Sequence, residues 1–543
     1  MHYRRAGSGP ALVLLHRSPR CSQDMLSLMR RLRSRFTCIA PDLPGHGLSD
    51  PLWTDALTPS DLAAAIVELL DTLGLDQAAV YGRHEGATLA IALALDFPDR
   101  VRCAVAESCA VPVGAERAEW LASCRILPEP VWDGSHLASL WSRMRDQATF
   151  HPWYARDADH RLSIEPPSPQ EMQESVIGLL RAGDNHRITC AALYGMHIEE
   201  ALRRVKIPVL LTTLRSDPLA EHLARVHEAA PSVAVQPTSG PEEAFGLIAA
   251  FLERHTSGTS PAPVPTEPIA GRIWNDFVDL PGGQLRIRRN TDAQGRVVVI
   301  QHDAAGSSES VDDLMMSFVG RRPVLAIDLP GHGGSTPPPP TLRVTVQTHA
   351  RAVGEALDAL GIGDFDFVGV GGGGFVGLEL TRSHSRRLRH IVLADPLYFP
   401  MSMQAELREQ YAPRIEPDWY GGHLLLAWHL VRDQQLYWPW YRRTRACIVS
   451  RPGNLDAITL HRRVVELLAS PQAWRASCQA FFGYSLQPRL SRLEFPVLLC
   501  SPPLDPRLDH AMQAQRDYPQ LAFMRMPEDR TQWGAKLMDF LDR

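Results

Sequence analysis

Short apolar runs alternate with longer stretches of helical periodicity in the first half of the chain. The runs "ALVLLH" (11–16), "FTCIAPD" (36–42) and "QAAVYG" (77–82) are typical of buried strands. Between them, "SDLAAAIVELLDTLGL" (60–75) repeats its apolar residues at helical spacing, and "HEGATLAIALALDF" (84–97) predicts a second helix. Strands that alternate with helices predict a parallel sheet with helices on both faces.

The second half repeats this order of elements. It runs through "RPVLAID" (322–328), "TVQTHARAVGEALDALGI" (345–362), "DFDFVGV" (364–370) and "GGFVGLELTRS" (373–383). An additional apolar hairpin pattern, "WNDFVDLPGGQLRIRR" (274–289), precedes it. We therefore expect the first half to lack the strand that opens the second.

The two halves also share sequence at a constant distance. "CIAPDLPGHGLSDP" at 38–51 returns as "VLAIDLPGHGGSTP" at 324–337. His84 and Gly371 are 287 positions apart, and so are His136 and His423 in two similar Trp- and Arg-rich blocks. A long constant offset indicates duplicated domains rather than a short-period solenoid. The Pro-, Ser- and Thr-rich stretch 255–271 predicts a linker between domains at 1–254 and 272–543.

Four motifs, in the same order in both halves, carry a family resemblance. A His follows an early strand, the loop "D-L-P-G-H-G-x-S" comes next, a glycine-spaced strand-to-helix turn follows, and an Asp ends a late strand. The chain resembles the α/β-hydrolase superfamily twice over. The resemblance implies two tandem folds of the α/β class, each a mostly parallel sheet flanked by helices with a helical cap, at about 110–205 and 396–494. The residues concerned are His16 and His302, "YGRHEG" (81–86) and "VGVGGGG" (368–374), and Asp217 and Asp505.

The family mechanism needs a Ser at the centre of the glycine-spaced turn, a His as base, an acid that orients the His, and backbone N–H groups that bind an oxyanion. His84 and Gly371 stand in the Ser position. Neither half has a His near its C-terminal strand, where Gly240–Pro241 and Arg530 stand instead. Both triads are therefore predicted to be degenerate, and serine-type hydrolysis is not expected. By resemblance, the N–H donors belong to Ser18, Glu85, Ala304 and Gly372.

His84 has two interpretations. The first is a replacement after loss of function. The second is a shortened relay, in which His84 contacts Asp217 directly and acts as a general base on water or on a substrate proton. Asp217 precedes a Pro and is otherwise typical of a turn.

Gly371 also has two interpretations. The residues Gly369, Gly371 and Gly374 fit G-x-G-x-x-G, with Asp395 further along, which is a dinucleotide-binding pattern. A Rossmann unit carries that motif after its first strand, whereas this one follows the "D-L-P-G-H-G" loop in mid-sheet. The position favours a tight turn of small residues that leaves the pocket floor empty.

The predicted caps contain the closest match between the halves. Trp141, Arg145, Trp153 and Tyr154 match Trp428, Arg432, Trp440 and Tyr441. Two interpretations are open: these residues pack the cap, or they line a ligand pocket with aromatic faces and an Arg that meets a carboxylate or carbonyl. Asp146 and Asp433, beside them, are expected to be structural.

Composition narrows the class of protein. The formal net charge is −5 and the Arg residues are dispersed among acids, so no nucleic-acid surface is expected. Nine Cys without a C-x-x-C pair indicate a reducing compartment, and the apolar run "ALVLL" is too short for a signal peptide or membrane span. We expect a cytoplasmic protein without metal or cofactor.

These patterns leave three functional hypotheses. The first is a small-molecule-binding pseudoenzyme, with an apolar organic ligand, or a partner of an active enzyme. The alternative is an active cofactor-free hydrolase or lyase on a small carbonyl compound, using His84 with Asp217. The third is structural, with the second half supporting the first.

Overall fold

The computed structural model describes residues 1–54, 56–124, 127–449, 453–491, 493, 495–505 and 507–543. In it the chain alternates strands and helices, as the hydrophobic pattern predicts. The strands are β1 (Tyr3–Ala6), β2 (Ala11–Leu15), β3 (Thr37–Pro41), β4 (Ala78–Arg83), β5 (Val101–Glu107), β6 (Val209–Thr212), β7 (Val233–Val235), β8 (Trp274–Leu280), β9 (Gly283–Asn290), β10 (Val297–Gln301), β11 (Val324–Ile327), β12 (Phe365–Val370), β13 (Leu388–Ala394), β14 (Val497–Ser501) and β15 (Ala522–Arg525).

The helices lie between these strands and in the predicted caps. They are α1 (Leu26–Leu32), α2 (Pro59–Thr72), α3 (Glu85–Asp96), α4 (Gly114–Ser123), α5 (Ser135–Thr149), α6 (Pro169–Ala182), α7 (Asp184–Tyr194), α8 (Ile198–Arg204), α9 (Ala220–Leu223), α10 (Pro241–His255), α11 (Asp312–Met316), α12 (Val346–Ala359), α13 (Gly373–Ser383), α14 (Met401–Gln410), α15 (Gly422–Asp433), α16 (Ala457–Ala469), α17 (Pro471–Phe482), α18 (Gln487–Leu490), α19 (Leu508–Asp517) and α20 (Trp533–Leu541).

The first sheet has seven strands in the order β1-β3-β2-β4-β5-β6-β7. Only β1 is antiparallel to its neighbour, with Tyr3 opposite Pro41, and the other pairings are parallel. All five residues of β2 are buried, because helices cover both faces of a parallel sheet. The predicted mostly parallel sheet is confirmed.

The second sheet has eight strands in the order β15-β14-β13-β12-β10-β11-β9-β8. Strands β8 and β9 form the predicted hairpin, with Trp274 opposite Arg289, and β9 runs antiparallel to β11. From β11 to β15 the pairings are parallel. Strand β8 has no counterpart in the first sheet, as the sequence comparison predicts.

Helix α2 illustrates how the sequence sets an element. Thr58 caps its N-terminus, accepting from the Asp61 N–H while Asp61 accepts from Thr58, and Pro59 occupies the first turn. Its buried face holds Leu62, Ile66 and other apolar residues at helical spacing against the sheet. The helix therefore begins at Pro59, directly before the predicted run 60–75.

Contacts divide the chain into two compact units. The first unit comprises Met1–Glu129 and Ala138–Pro265, and the second comprises Pro130–Leu137 and Thr266–Arg543. The short segment Pro130–Leu137 was expected in the first domain and is grouped with the second. Part of the predicted linker is bound to the first unit, because the Gly9 N–H donates to Ser260 Oγ at 2.5 Å and Arg5 donates to the Ala262 carbonyl at 3.1 Å.

Two further features concern the cysteines and the helices. All nine cysteines are free thiols. Among the described residues, none of the helices has both the length and the apolar character that a membrane crossing needs.

Candidate functional site

The strand-to-helix turn of the first unit keeps the backbone that a nucleophile would need. His84 has φ +52° between β4 and α3, a conformation that non-glycine residues rarely adopt. The flanking glycines are required by close approach, since a Cβ on Gly82 would lie 1.9 Å from the Gly86 carbonyl oxygen and one on Gly86 would lie 2.3 Å from that of Leu15. The turn is therefore built as in the family, with an imidazole in place of a hydroxyl.

The relay interpretation of His84 requires a contact with Asp217, and among the described residues no hydrogen bond joins the two side chains. Asp217 accepts from the Ser108 hydroxyl at 2.8 Å and from the Leu219 N–H at 2.9 Å. Desolvation first, and the nearby guanidinium of Arg83 second, lower the pKa of His84 to about 3. The imidazole is neutral at pH 7, and the geometry of the relay is absent because Asp217 is engaged by other donors.

The N–H donors expected to bind an oxyanion contact a carboxylate of the protein itself. The Ser18 N–H donates to Glu85 Oε2 at 3.2 Å, and the Tyr194 hydroxyl donates to Glu85 Oε1 at 2.6 Å. Burial raises the pKa of Glu85, against hydrogen bonds from Tyr194 and from the backbones of Glu85 and Ser18. In the first unit, the space for an oxyanion is filled by Glu85.

The second unit reaches the same arrangement with a different residue. The N–H groups of Gly372 and Ala304 both donate to Asp303 Oδ1, at 3.0 Å and 2.8 Å. Gly371 has φ +55°, and a Cβ added to it would lie 2.2 Å from Asp303 Oδ2. The Asp303 carboxylate therefore occupies both the N–H pair and the space of the missing nucleophile, so the predicted empty floor is filled.

An ion-pair network replaces the rest of the triad in the second unit. Arg530, in the position of the family His, contacts Asp395 Oδ2 at 2.6 Å, and Ser501 donates to Asp395 Oδ1 at 2.7 Å. Arg507 pairs with Asp505 at 3.0 Å and lies 3.4 Å from Asp395. Asp505 thus lies after the late strand with Arg507 as an ion-pair partner. The sequence reasoning missed the role of Asp395 and missed Arg507.

Asp395 also has a backbone signature. It has φ +51° just after β13, and Ser108, 287 positions earlier, has φ +50° just after β5. Both residues lie beside the Asp that follows the late strand of their unit. Ser108 donates to Asp217, and Asp395 contacts Arg507, which pairs with Asp505. The paired positions "ESC" (107–109) and "ADP" (394–396) are the sequence signal that could have located this second polar position.

A cavity of about 130 Å³ lies between Glu85 and the cap of the first unit. Ser18, Glu85 and Tyr194 line it on the side of the sheet. Its other walls combine aromatic and polar side chains. These include Trp120, Phe150, Trp153, Tyr154, Arg143, Gln147, His151, His186 and Cys190.

Two polar groups of this cavity lack a partner among the described residues. Arg143 Nε and Tyr154 Oη are both buried and make no hydrogen bond. The Arg143 guanidinium lies 4.9 Å from the centre of the Trp153 ring, and no carboxylate among the described residues pairs with it. Buried polar groups are normally hydrogen-bonded, so Arg143 Nε and Tyr154 Oη are the donors that this cavity offers.

The Ser18 hydroxyl stands between two imidazoles. Its Oγ lies 2.9 Å from His46 Nε2 and 2.7 Å from His186 Nδ1. His46 Nδ1 lies 3.1 Å from the Pro44 carbonyl, which only accepts, so His46 Nε2 is the acceptor for the Ser18 proton. Burial lowers the pKa of His46 to about 4 and that of His186 to about 3, so both are neutral at pH 7.

The matched cap residues divide between the two interpretations. Trp153 and Tyr154 line the cavity, whereas Trp141 is fully buried and Arg145 is not among the lining residues. In the second unit, Trp428 Nε1 donates to the Trp132 carbonyl at 3.2 Å.

Other cap contacts are structural. Trp440 Nε1 donates to the Tyr411 carbonyl at 2.9 Å, and Tyr441 stands edge-on to the Trp440 ring. Asp146 and Asp433 each bind an Arg ten residues later. Arg432 is half-buried on α15. Across the described residues, no cluster of three His, Cys, Asp or Glu could hold a metal ion.

Comparisons with known proteins agree on the fold. A family model described as alpha/beta hydrolase fold matches residues 10–224 and 296–426. Haloalkane dehalogenase 2 of Mycobacterium tuberculosis is 36% identical over 102 residues, which cover 19% of this chain and 36% of that protein. The 2-(acetamidomethylene)succinate hydrolase of Mesorhizobium japonicum is 39% identical over 106 residues, covering 20% and 38%. The chain thus spans little more than a third of the length of these curated relatives.

Each of two solved structures aligns with about half of the chain. A bromoperoxidase from Bacillus anthracis aligns with a TM-score of 0.41 at 15% identity, covering 50% of this chain and all of that one. A hydrolase from Pseudomonas aeruginosa aligns with a TM-score of 0.40 at 20% identity, covering 51% and 100%.

Proposed function

The chain belongs to the alpha/beta hydrolase fold family, and we propose that within it the protein binds a small organic acid in the cap cavity of the first unit and does not act as a serine hydrolase. One observation carries the proposal. In both units, N–H groups that would stabilise an oxyanion already donate to a carboxylate of the protein: the Ser18 N–H donates to Glu85, and the Gly372 and Ala304 N–H groups donate to Asp303.

The electrostatics of those carboxylates oppose acyl transfer. Catalysis of that kind needs preorganised donors aimed at the position where negative charge develops on the substrate. A carboxylate bound to the same donors blocks the position and, when ionised, repels the developing charge. Neither centre places a Ser at the turn, since His84 and Gly371 stand there.

The unpaired donors of the cavity support an acidic ligand. Arg143 is charged at any physiological pH, and the Trp153 face holds it from one side at 4.9 Å. Tyr154 adds a second buried donor without a partner among the described residues. A ligand with a carboxylate would satisfy both, and its apolar body would pack on Trp120 and Phe150. The cavity of about 130 Å³ limits that ligand to a small molecule.

The test combines covalent labelling with ligand binding. We expect no stoichiometric attachment of a fluorophosphonate probe by intact-mass measurement and no turnover of p-nitrophenyl acetate above the solvent rate. Attachment at any Ser overturns the proposal, and attachment at Ser18 would identify the Ser18–His46 pair as an active nucleophile.

Binding is tested with matched acids and neutral analogues. We expect calorimetric binding of benzoate or of a shorter monocarboxylate and none of the corresponding amide. Arg143→Leu should weaken binding of the acid by about tenfold or more, since among the described lining residues it removes a guanidinium that has no carboxylate partner. Arg161→Leu, an exposed cap residue of the same unit, is the control for net charge. Equal binding of acid and amide, or no effect of Arg143→Leu, contradicts the acidic ligand.

A further inference from the structure

The second unit contains a larger cleft that is separate from the Gly371 turn. Its volume is about 770 Å³, and Gly371, Gly372 and Asp303 are not among its lining residues. It lies at the start of α12, the end of α13 and the segment from α17 to α18. Apolar side chains such as Val346, Leu378 and Ala480 line it together with polar ones. A cleft of this size accepts a ligand of ordinary metabolite size.

Arginine dominates the charge of this cleft. The lining includes four guanidinium groups and, among the described residues, no Asp or Glu. The buried Glu379, which is not part of the lining, contacts Arg489 at 2.9 Å and Arg382 at 3.6 Å. Arg343 and Arg408 have no hydrogen bond or ion pair to any described residue. The positive charges of the cleft therefore exceed the acids beside it among the described residues, which favours the binding of an anion.

The first unit shows that the fold does not require these charges. The N-cap residues Thr58 of α2 and Thr345 of α12 are 287 positions apart, and α4 and α14 begin at the same offset. At that offset, Arg343, Arg382 and Arg408 correspond to Ala56, Leu95 and Leu121.

The fourth arginine of the cleft, Arg489, also corresponds to an apolar residue of the first unit. Arg489 corresponds to Ala201 or Leu202, because the offset changes from 287 to 288 by the following strands β6 and β14. The two sheets thus share an architecture, while apolar residues in one unit stand where the other unit has arginines. Such a replacement at four positions around one cleft indicates binding rather than packing.

We propose that this cleft binds a small organic molecule that carries a diphosphate or triphosphate group. Phosphoryl oxygens accept two parallel hydrogen bonds from the N–H groups of one guanidinium, and adjacent phosphates present several negative charges to several arginines at once. The Thr345 and Thr381 side chains add hydroxyl groups in the same cleft. The apolar part of the surface would hold the organic portion of the ligand. This site is independent of the acid-binding cavity of the first unit.

The test uses inorganic pyrophosphate and the full chain. Isothermal calorimetry at low ionic strength should detect pyrophosphate binding that weakens as salt is added. The variant Arg343→Ala with Arg408→Leu installs the residues of the first unit and should weaken pyrophosphate by about tenfold or more. Both side chains are exposed, so its thermal midpoint without ligand should equal that of the wild type.

The control removes the same charge elsewhere. Arg351→Ala with Arg386→Ala takes two exposed arginines from the same unit outside the cleft, and pyrophosphate affinity should change by less than about twofold. Absence of pyrophosphate binding to the wild type, or equal losses in both double variants, overturns the site. Tighter binding of citrate than of pyrophosphate overturns the assignment to phosphoryl ligands.

Discussion

The most direct test of the filled nucleophile space is a double-mutant cycle on Gly371 and Asp303. Gly371→Ala places a Cβ 2.2 Å from Asp303 Oδ2, so the carboxylate must leave the N–H groups of Gly372 and Ala304. The φ of +55° adds a backbone penalty of roughly 1–2 kcal/mol for a residue with a Cβ. Overpacking of the carboxylate adds roughly 1–3 kcal/mol. The single substitution should therefore destabilise the second unit by about 2–5 kcal/mol.

The same substitution should cost much less when the carboxylate is absent. In an Asp303→Ala background only the backbone penalty remains, so Gly371→Ala should cost about 1–2 kcal/mol. The coupling free energy is then about 1–3 kcal/mol. Urea unfolding of the four full-length proteins, followed by tryptophan fluorescence, measures it from the transition that shifts. Additive effects would refute the conclusion that Asp303 fills the space of the nucleophile. Gly371→Ser is expected to behave as Gly371→Ala and to gain no esterase activity, because Arg530 is bound to Asp395 where the family has its His.

Three further outcomes are expected. Burial raises the pKa of Glu85, so this residue contributes stability at low pH that is lost as the pH rises through its folded-state pKa. The thermal midpoint of Glu85→Gln should therefore rise relative to that of the wild type between pH 4.5 and pH 8. A difference that stays constant over this range would contradict the prediction. Burial lowers the pKa of His186 to about 3, so its contribution to folding stability is present above the ordinary His pKa and is lost as the pH falls from about 6.5. His186→Gln should therefore flatten the acid side of the curve of stability against pH, with the exposed His227→Gln as the control. Identical stability curves for the two variants would contradict the prediction. Limited proteolysis should cut first within 266–271 rather than at 260–262, where Gly9 and Arg5 hold the segment, and first cleavage within α10 or β8 would disprove this.

The fold followed from the sequence because its signals are periodic. Buried strands of β-branched and aliphatic residues alternate with capped amphipathic helices, and the constant offset located the same elements twice. The turn positions His84 and Gly371 were also located correctly, since the glycine spacing reflects close backbone approach.

The contents of the site could not be predicted in the same way. Which carboxylate bonds to the N–H donors depends on side-chain direction, and the two carboxylates come from different places: Glu85 begins α3, whereas Asp303 lies in the loop after β10. The sequence comparison drew attention to Arg145, whereas Arg143 lines the cavity. Residues two positions apart on a helix point about 200° away from each other, so Arg143 and Arg145 face opposite sides of α5. Periodicity alone does not show which of the two faces the cavity. Arg143 corresponds to Leu430 in the second half, so the proposed acid site depends on a position at which the two halves differ.

Strand β8 has a consequence for behaviour at high concentration. It forms one edge of the second sheet with seven residues, whereas the other sheet edges, β1, β7 and β15, have three or four. A long exposed edge is a template onto which a strand of another molecule can add. β8 carries Asp276 and Asp279, and Asp276 contacts Arg289 at 2.5 Å while Asp279 accepts from Gln284 at 2.8 Å. These carboxylates place charge on the terminal strand, so a strand added by another molecule would have to desolvate them, which opposes extension of the second sheet.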